Sequence, residues 1–151
     1  MQNFAFRLDR ILRWRQEQFE AEEARLGTIL AERERMETAR NKLRKARDGA
    51  VDDLLTAGPM DGLELAALGG FRARLEKELE TSSRQLQEVG RRLAAQKTRV
   101  VDAQRRVRLL EKLRRRKLDE WQTTLDREQQ NFAGEAFLAR WNPGSRSAKT
   151  H

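Results

Sequence analysis

The sequence predicts an all-α protein, a long two-helix antiparallel coiled-coil hairpin with a longer second helix and a disordered C-terminal tail. Apolar residues recur seven apart in the second half, at Leu79, Leu86, Leu93, Val100 and Val107. This is the period of a helix that supercoils with a partner helix. A Gly-Pro break near residue 58 separates this ladder from an upstream stretch that is also periodic. The simplest partner is therefore the same chain, folded back on itself.

The first coiled-coil helix is predicted over residues 1–56. Between Leu8 and Leu54, apolar residues recur at steps of three and four or their multiples, as in an amphipathic helix. Three arginines interrupt one of the two core rows: Arg33, Arg40 and Arg47. Their stems can cover apolar surface while the guanidinium groups reach water, so we expect loose packing along the middle of this helix.

Residues 57–70 are predicted as a tip loop followed by a short helix. Pro59 lacks a backbone N–H and breaks a helix, whereas Asp61 can cap the helix that follows. Gly69 and Gly70 each cost about 1 kcal/mol inside a helix, so the short helix either continues into the next one or bends there. The second long helix is predicted over 71–140, and residues 141–151 have turn formers and no apolar period.

The predicted register of the hairpin places Leu54 near Glu64 and Leu8 opposite Leu110, with Trp121 just beyond Phe4. Aromatic residues then gather at one end of the hairpin: Phe4, Phe6, Trp14 and Phe19 from the first helix, and Trp121, Phe132, Phe137 and Trp141 from the second. Two interpretations stay open. The aromatics either close the hairpin as a clasp or form an exposed apolar end that docks on a partner.

Composition excludes several classes of function. The chain has no cysteine, which excludes disulfides and thiolate zinc sites and favours a reducing compartment. Its one histidine, His151, lies at the C-terminus, so the usual base for nucleophilic catalysis is missing. We expect no enzyme, no catalytic residue, no metal and no cofactor. No apolar run approaches the roughly 20 residues of a membrane span, so no direct membrane insertion is expected.

The net charge of +8 is concentrated in the last third of the chain, where residues 101–151 carry 12 basic and 7 acidic groups, net +5. The segment from Arg105 to Lys117 holds eight cations and a single acid, Glu111. Such a run creates a local positive field. It predicts either a solvated face or a docking face for an acidic protein surface. Nucleic acid is disfavoured because the run is interleaved with apolar residues needed for packing.

Four features follow one another along the chain: the opening "FAFRLDRILRWR", the break near residue 58, "FRARLEKELE" after it, and "LDEWQTTLDREQQ" near the end. In this order they resemble the FliJ family, the coiled-coil component of the flagellar type III export apparatus. The resemblance implies a monomeric stalk in the cytoplasm, peripherally associated with the inner membrane at the flagellar base. Its implied partners are the hexameric export ATPase, whose ring it enters and helps to assemble, the cytoplasmic domain of the export gate protein, and export chaperones.

The resemblance also implies site residues. The family's gate-binding strip falls by position on Phe71, Leu75, Glu78 and Ser82. Leu75 and Ser82 are also in phase with the apolar ladder and can be simple core positions. The stalk analogy, together with charge, places ATPase-ring contacts at Arg7, Arg13, Trp14, Arg114, Arg115, Arg116 and Trp121.

Three alternatives stay open. An injectisome stalk would have the same architecture in a different secretion system. A generic coiled-coil tether or scaffold would use the ladder between chains. A basic nucleic-acid binder would use the cationic run against phosphates, with strong dependence on salt.

Overall fold

A computed structural model describes residues 3–141 of the chain. They form two α-helices, α1 from Asp9 to Thr56 and α2 from Gly62 to Trp141. The helices contain 92% of the described residues, which include no strand, and they pack against each other. The predicted all-α, two-helix fold with a longer second helix is confirmed.

The first helix begins later than predicted. Residues 3–6 are not helical and residues 7–8 form a turn, so α1 starts at Asp9 rather than near the N-terminus. The Asp9 N–H donates to the carbonyl of Phe6 at 3.1 Å, and the Asp9 carboxylate lies in the first turn, where the helix dipole favours it. The helix ends at Thr56, just before Gly58 and Pro59.

The second helix begins after Asp61, whose carboxylate accepts a hydrogen bond from the Leu63 N–H at 3.5 Å. It then continues through Gly69 and Gly70 without a break. Of the two alternatives for the short helix, the structure has the continuous one, so α2 starts at Gly62 rather than at residue 71. Two helical glycines cost little free energy, and the turns that follow them bury Leu75 and Leu79. Trp141 ends α2, and the rest of the predicted tail, residues 142–151 with His151, lies outside the described residues.

The described chain divides into two compact units. The hairpin unit comprises Gln16–Arg105, and the terminal unit comprises residues 3–15 and 106–141 of the described chain. Each unit combines a part of α1 with a part of α2. They are described separately below.

In the hairpin unit, α2 supplies a buried stripe whose members follow one another at steps of three and four residues or their multiples. Its buried members are Leu75, Leu79, Val89, Leu93, Gln96 and Ala103, and Leu86 and Val100 are half-buried. The α1 side is less covered, with half-buried Phe19, Leu26, Ile29, Met36, Leu43 and Leu54 and a buried Ala50. The seven-residue ladder is therefore one of two rows that form the contact with α1.

The three arginines that interrupt the α1 row are not equivalent. Arg33 is exposed and pairs with Glu37 at 3.2 Å. Arg40 and Arg47 are half-buried, and Arg47 reaches Asp48 at 3.4 Å. The Nε of Arg40 is buried and has no hydrogen-bond partner in the described part of the chain. The stems of Arg40 and Arg47 thus occupy core positions, as the sequence predicts for an imperfect row.

In the terminal unit, Leu12 of α1 and Val107 of α2 are the buried apolar residues. Half-buried leucines extend the same stripe of α2: Leu110, Leu113, Leu118 and Leu125. From residue 126 to Trp141 every residue of α2 is exposed. The apolar contact in this unit therefore ends near Leu125.

Candidate functional site

The predicted gate-binding strip lies within the hairpin unit, but its four residues differ in access. Leu75 is buried at 6% exposure and belongs to the contact with α1, and Ser82 is half-buried. Phe71 is 42% exposed, and Glu78 is exposed. Only Phe71 and Glu78 are available to a partner without opening the helix pair.

Apolar residues near the tip add to this surface. Leu55, at the end of α1, is 79% exposed, and Leu63, at the start of α2, is 80% exposed; Leu65 follows at 53%. These leucines are not among the predicted site residues, although an apolar run that flanks a Gly-Pro break is a sequence signal for them. Exposed apolar clusters of this kind are typical of interaction surfaces.

A hydrogen-bonded contact between α1 and α2 specifies the register of the hairpin unit. Gln96 is buried at 4% exposure, and its side-chain amide donates to the backbone carbonyl of Glu22, at 2.9 Å, and to the Glu22 carboxylate. Gln96 opposite Glu22 is the pairing that the predicted register requires. A buried polar residue at a core position specifies register at some cost in stability. Gln96 is not among the predicted core residues because the heptad ladder is defined by apolar side chains.

An ion pair supports the same register on the surface of the hairpin unit. Arg92 on α2 lies 3.2 Å from Glu32 on α1. A shallow groove beside it is lined by residues of both helices, including Thr28 and Ile29 from α1 and Ala95 and Arg99 from α2. These contacts show that α1 and α2 run antiparallel in this unit.

All seven predicted ATPase-ring residues fall in the terminal unit. The non-helical segment at residues 3–8 lies against α2, and the ring of Phe4 is 6.0 Å from that of Trp121, tilted by 53°. The guanidinium of Arg114 sits 5.8 Å from the centre of the same Phe4 ring, a cation–π geometry. Phe4 and Trp121 thus form a clasp, as one of the two interpretations of the aromatics expects.

A groove runs along this clasp. It is lined by residues 3–8 on one side and by Leu113, Lys117 and Trp121 on the other. Arg7 is exposed beside it. The groove combines apolar walls with cationic rims, which suits a partner that has both an apolar and an acidic element.

The remaining N-terminal candidates lie on the first turns of α1. Trp14 is 50% exposed, and the guanidinium of Arg15 lies 4.7 Å from its ring centre. Arg13 is exposed and pairs with Asp9 across one turn, at 3.5 Å. An exposed tryptophan flanked by arginines has the composition of an interface anchor.

The cationic run of α2 divides between two faces. Arg114 reaches Phe4, and Lys117 lines the groove and pairs with Glu120 at 3.4 Å. Lys112, Arg115 and Arg116 line a different, shallow surface together with Asp119, Glu120 and Arg127. This division follows from the helical turn of about 100° per residue and sends neighbouring cations in different directions.

The far end of α2 carries the other aromatics, and none of them packs against α1. Phe132, Phe137, Leu138 and Trp141 are 65–74% exposed. The rings of Phe137 and Trp141 stack on each other, with centres 6.5 Å apart and planes within 4°. These residues fit the second interpretation of the aromatics, an exposed apolar end.

The described residues contain no group of three or more histidine, cysteine, aspartate or glutamate side chains that could hold a metal ion. Within the same part of the chain, neither helix has a stretch apolar enough to span a bilayer. The accessible features are instead surfaces: an apolar tip, a groove with an aromatic clasp, and a cationic face.

The fold and these surfaces define a class of protein, a two-helix coiled-coil hairpin with exposed aromatic and charged surfaces. Comparison with known families identifies the chain further. It matches the family described as "Flagellar FliJ protein" over residues 4–142, and it therefore belongs to the FliJ family. Neither the curated proteins nor the solved structures give a significant match.

Membership confirms the family predicted from the sequence motifs. The chain is a flagellar, export-related coiled-coil protein, a structural component of the export apparatus with interactions inside that apparatus. Of the two secretion systems considered, the family match favours the flagellar one.

Proposed function

We propose that the chain is a non-enzymatic, monomeric stalk of the flagellar type III export apparatus. It inserts into the ring of the export ATPase hexamer, promotes assembly of that ring and couples it to the cytoplasmic domain of the export gate. It also contacts export chaperones and works in the cytoplasm at the inner-membrane face of the flagellar base.

The observation that carries this proposal is the separation of the candidate surfaces between the two units. Every proposed ring contact belongs to the terminal unit. There Trp14 is half exposed, Phe4 and Trp121 form the clasp, Arg114 lies over the Phe4 ring and Lys117 lines the groove. The proposed gate contacts Phe71 and Glu78 belong to the hairpin unit. The two sets of proposed contacts therefore share no residue and can be tested separately.

In the terminal unit, the proposed ring-binding elements are Arg7, Arg13, Trp14, Arg114, Arg115, Arg116 and Trp121, with the exposed aromatics at the end of α2. Arginine and tryptophan are the residues that most often anchor protein interfaces. Positive charges also speed association with a partner surface of opposite charge.

Stimulation of the cognate export ATPase tests the ring contact. The triple variant Arg114→Glu, Arg115→Glu and Arg116→Glu should need about tenfold more protein for the same stimulation, because it reverses three exposed charges. The matched control is Arg72→Glu, Arg84→Glu and Arg91→Glu, which changes the net charge equally in the hairpin unit. Equal stimulation by both variants contradicts the proposed contact.

Binding to the isolated cytoplasmic domain of the export gate tests the hairpin unit. Phe71→Ala should weaken this binding, measured by calorimetry, because Phe71 is the accessible aromatic of the strip. Phe132→Ala removes an exposed phenylalanine from the terminal unit and is the matched control. If both variants bind as the wild type does, the strip is not the gate contact.

A further inference from the structure

The face of α2 that points away from the Phe4 clasp carries cations that no carboxylate of the described chain neutralises. Four of them follow one another along one side of the helix: Arg108, Lys112, Arg115 and Arg116. None forms an ion pair within the described residues, although ion pairs are common on the rest of the surface. We call these four residues, together with Leu109, the outward basic face.

Cations without an ion pair also occur among the described residues of the hairpin unit, such as Arg74 and Arg99. The outward basic face differs because it lies in a segment, Arg105 to Lys117, that holds eight cations and one acid. Arg72, Arg84 and Arg91 of the same helix each pair with a glutamate three or four residues away.

The carboxylates within one helical turn of these cations are Glu111, Asp119 and Glu120. None of them pairs with the outward basic face, and Glu120 pairs with Lys117 instead. Like charges on adjacent turns repel each other, so carboxylates of a partner would relieve this repulsion.

Leu109 lies among these cations and is 67% exposed. An exposed leucine beside Arg108 and Lys112 adds an apolar contact to an otherwise charged surface. A partner that contributes one apolar side chain as well as carboxylates would bury Leu109 and pair the cations together.

The charge pattern along the helix discriminates between anionic partners. The shallow surface that contains Lys112, Arg115 and Arg116 continues into Asp119 and Glu120 and then into Arg127. A nucleic-acid backbone or an anionic lipid surface presents uniform negative charge and would meet the carboxylates of Asp119 and Glu120. A protein can match the change of sign residue by residue.

We propose that the outward basic face binds an acidic amphipathic α-helix of a partner protein. Carboxylates of that helix pair with Arg108, Lys112 and Arg116, which recur every four residues and so align with acids at the same helical spacing. One apolar side chain of the partner covers Leu109. The inference does not depend on insertion of the chain into an ATPase ring.

Fluorescence anisotropy with three labelled probes tests the proposal on the full chain at physiological salt. The first probe is a helical peptide with glutamates at four-residue spacing and one leucine stripe. The second is the same peptide with lysine in place of glutamate, and the third is a single-stranded oligonucleotide. Flotation with phosphatidylglycerol vesicles covers the lipid surface. We expect binding to the acidic peptide alone.

Two variants and one control complete the test. Arg108→Glu with Lys112→Glu should weaken peptide binding about tenfold or more, and Leu109→Asn should weaken it without changing its salt dependence. The control Arg84→Glu with Arg91→Glu has the same change in net charge and should bind as the wild type does. Circular dichroism checks that all variants keep their helices.

Three results overturn the proposal. Equal weakening by the control pair would show that only net charge matters. Tighter binding of the oligonucleotide or the vesicles through Arg108 and Lys112 would assign the face to another class of partner. No peptide binding by the wild type would leave a solvated face. Neither Arg108 nor Lys112 is among the proposed ring contacts, so their double variant should stimulate the ATPase as the wild type does. This assay therefore tests the stalk function separately from the binding of an acidic helix.

Discussion

Truncation of Leu93 provides a quantitative test of the contact between the two helices. Leu93 is 4% exposed in the hairpin unit, and Leu93→Ala removes three buried carbons, worth about 0.8 kcal/mol each. The seam has only two helices around it and can partly collapse, so the cavity adds little. The expected loss in the free energy of unfolding is about 2.5 kcal/mol.

The matched control is Leu109→Ala, which makes the same chemical change at a position that is 67% exposed. Its expected cost is below about 1 kcal/mol, because most of the side chain is already in water. Urea denaturation followed by far-UV circular dichroism measures both values. For a chain of this size, the Leu93 variant should also melt roughly 5–10 °C lower than the wild type.

The result that would refute this reasoning is a similar cost for the two leucines. It would mean that Leu93 does not lie between the helices in solution and that the buried stripe of α2 is misplaced. A change in the dependence of unfolding on urea would instead indicate an altered unfolded state or a loss of two-state behaviour. The comparison is then made by melting temperature alone.

Two further predictions concern the helix pair. Gly69→Ala and Gly70→Ala should each stabilise the chain by about 1 kcal/mol. Both positions are helical, and an added Cβ would meet no atom within 4 Å. Destabilisation of either variant in urea melts would show that α2 bends there. Gln96→Leu should change stability by less than about 1 kcal/mol, because Glu22 keeps Arg25 at 3.1 Å as a partner. The same variant should relax the register, visible as partial dimerisation in light scattering, and a strictly monomeric variant would contradict that role for Gln96.

The fold was predictable because one physical signal repeats along the chain. Apolar residues at the coiled-coil period require a partner helix, and the Gly-Pro break supplies it from the same chain. The start of α1 was not predictable in this way. The predicted register already places Trp121 near Phe4, and the two rings do make contact. Periodicity extends to the N-terminus, however, and does not show that residues 3–8 leave the helix to make this contact.

The candidate surfaces were predictable only in part. The phase of the ladder already indicated that Leu75 is a core position, and its burial agrees with that phase. The pairing of Gln96 with Glu22 was not predictable from apolar spacing, because it depends on a polar side chain in an apolar row. Likewise, helical spacing can divide the cationic run between faces, but which cations find carboxylates depends on side-chain conformations that the sequence does not give.

The division of both helices into buried and exposed faces, up to Leu125, depends on the chain pairing with itself, so the most direct test is an intrachain distance. The protein has no cysteine, and Thr28→Cys with Ala95→Cys introduces two spin labels that line one groove across α1 and α2. Electron–electron double resonance should give a short distance between the two labels, because packed helix axes lie roughly 10 Å apart. This distance should not change when labelled chains are diluted with unlabelled ones. A long separation, or a short one that disappears on dilution, would contradict the intrachain hairpin.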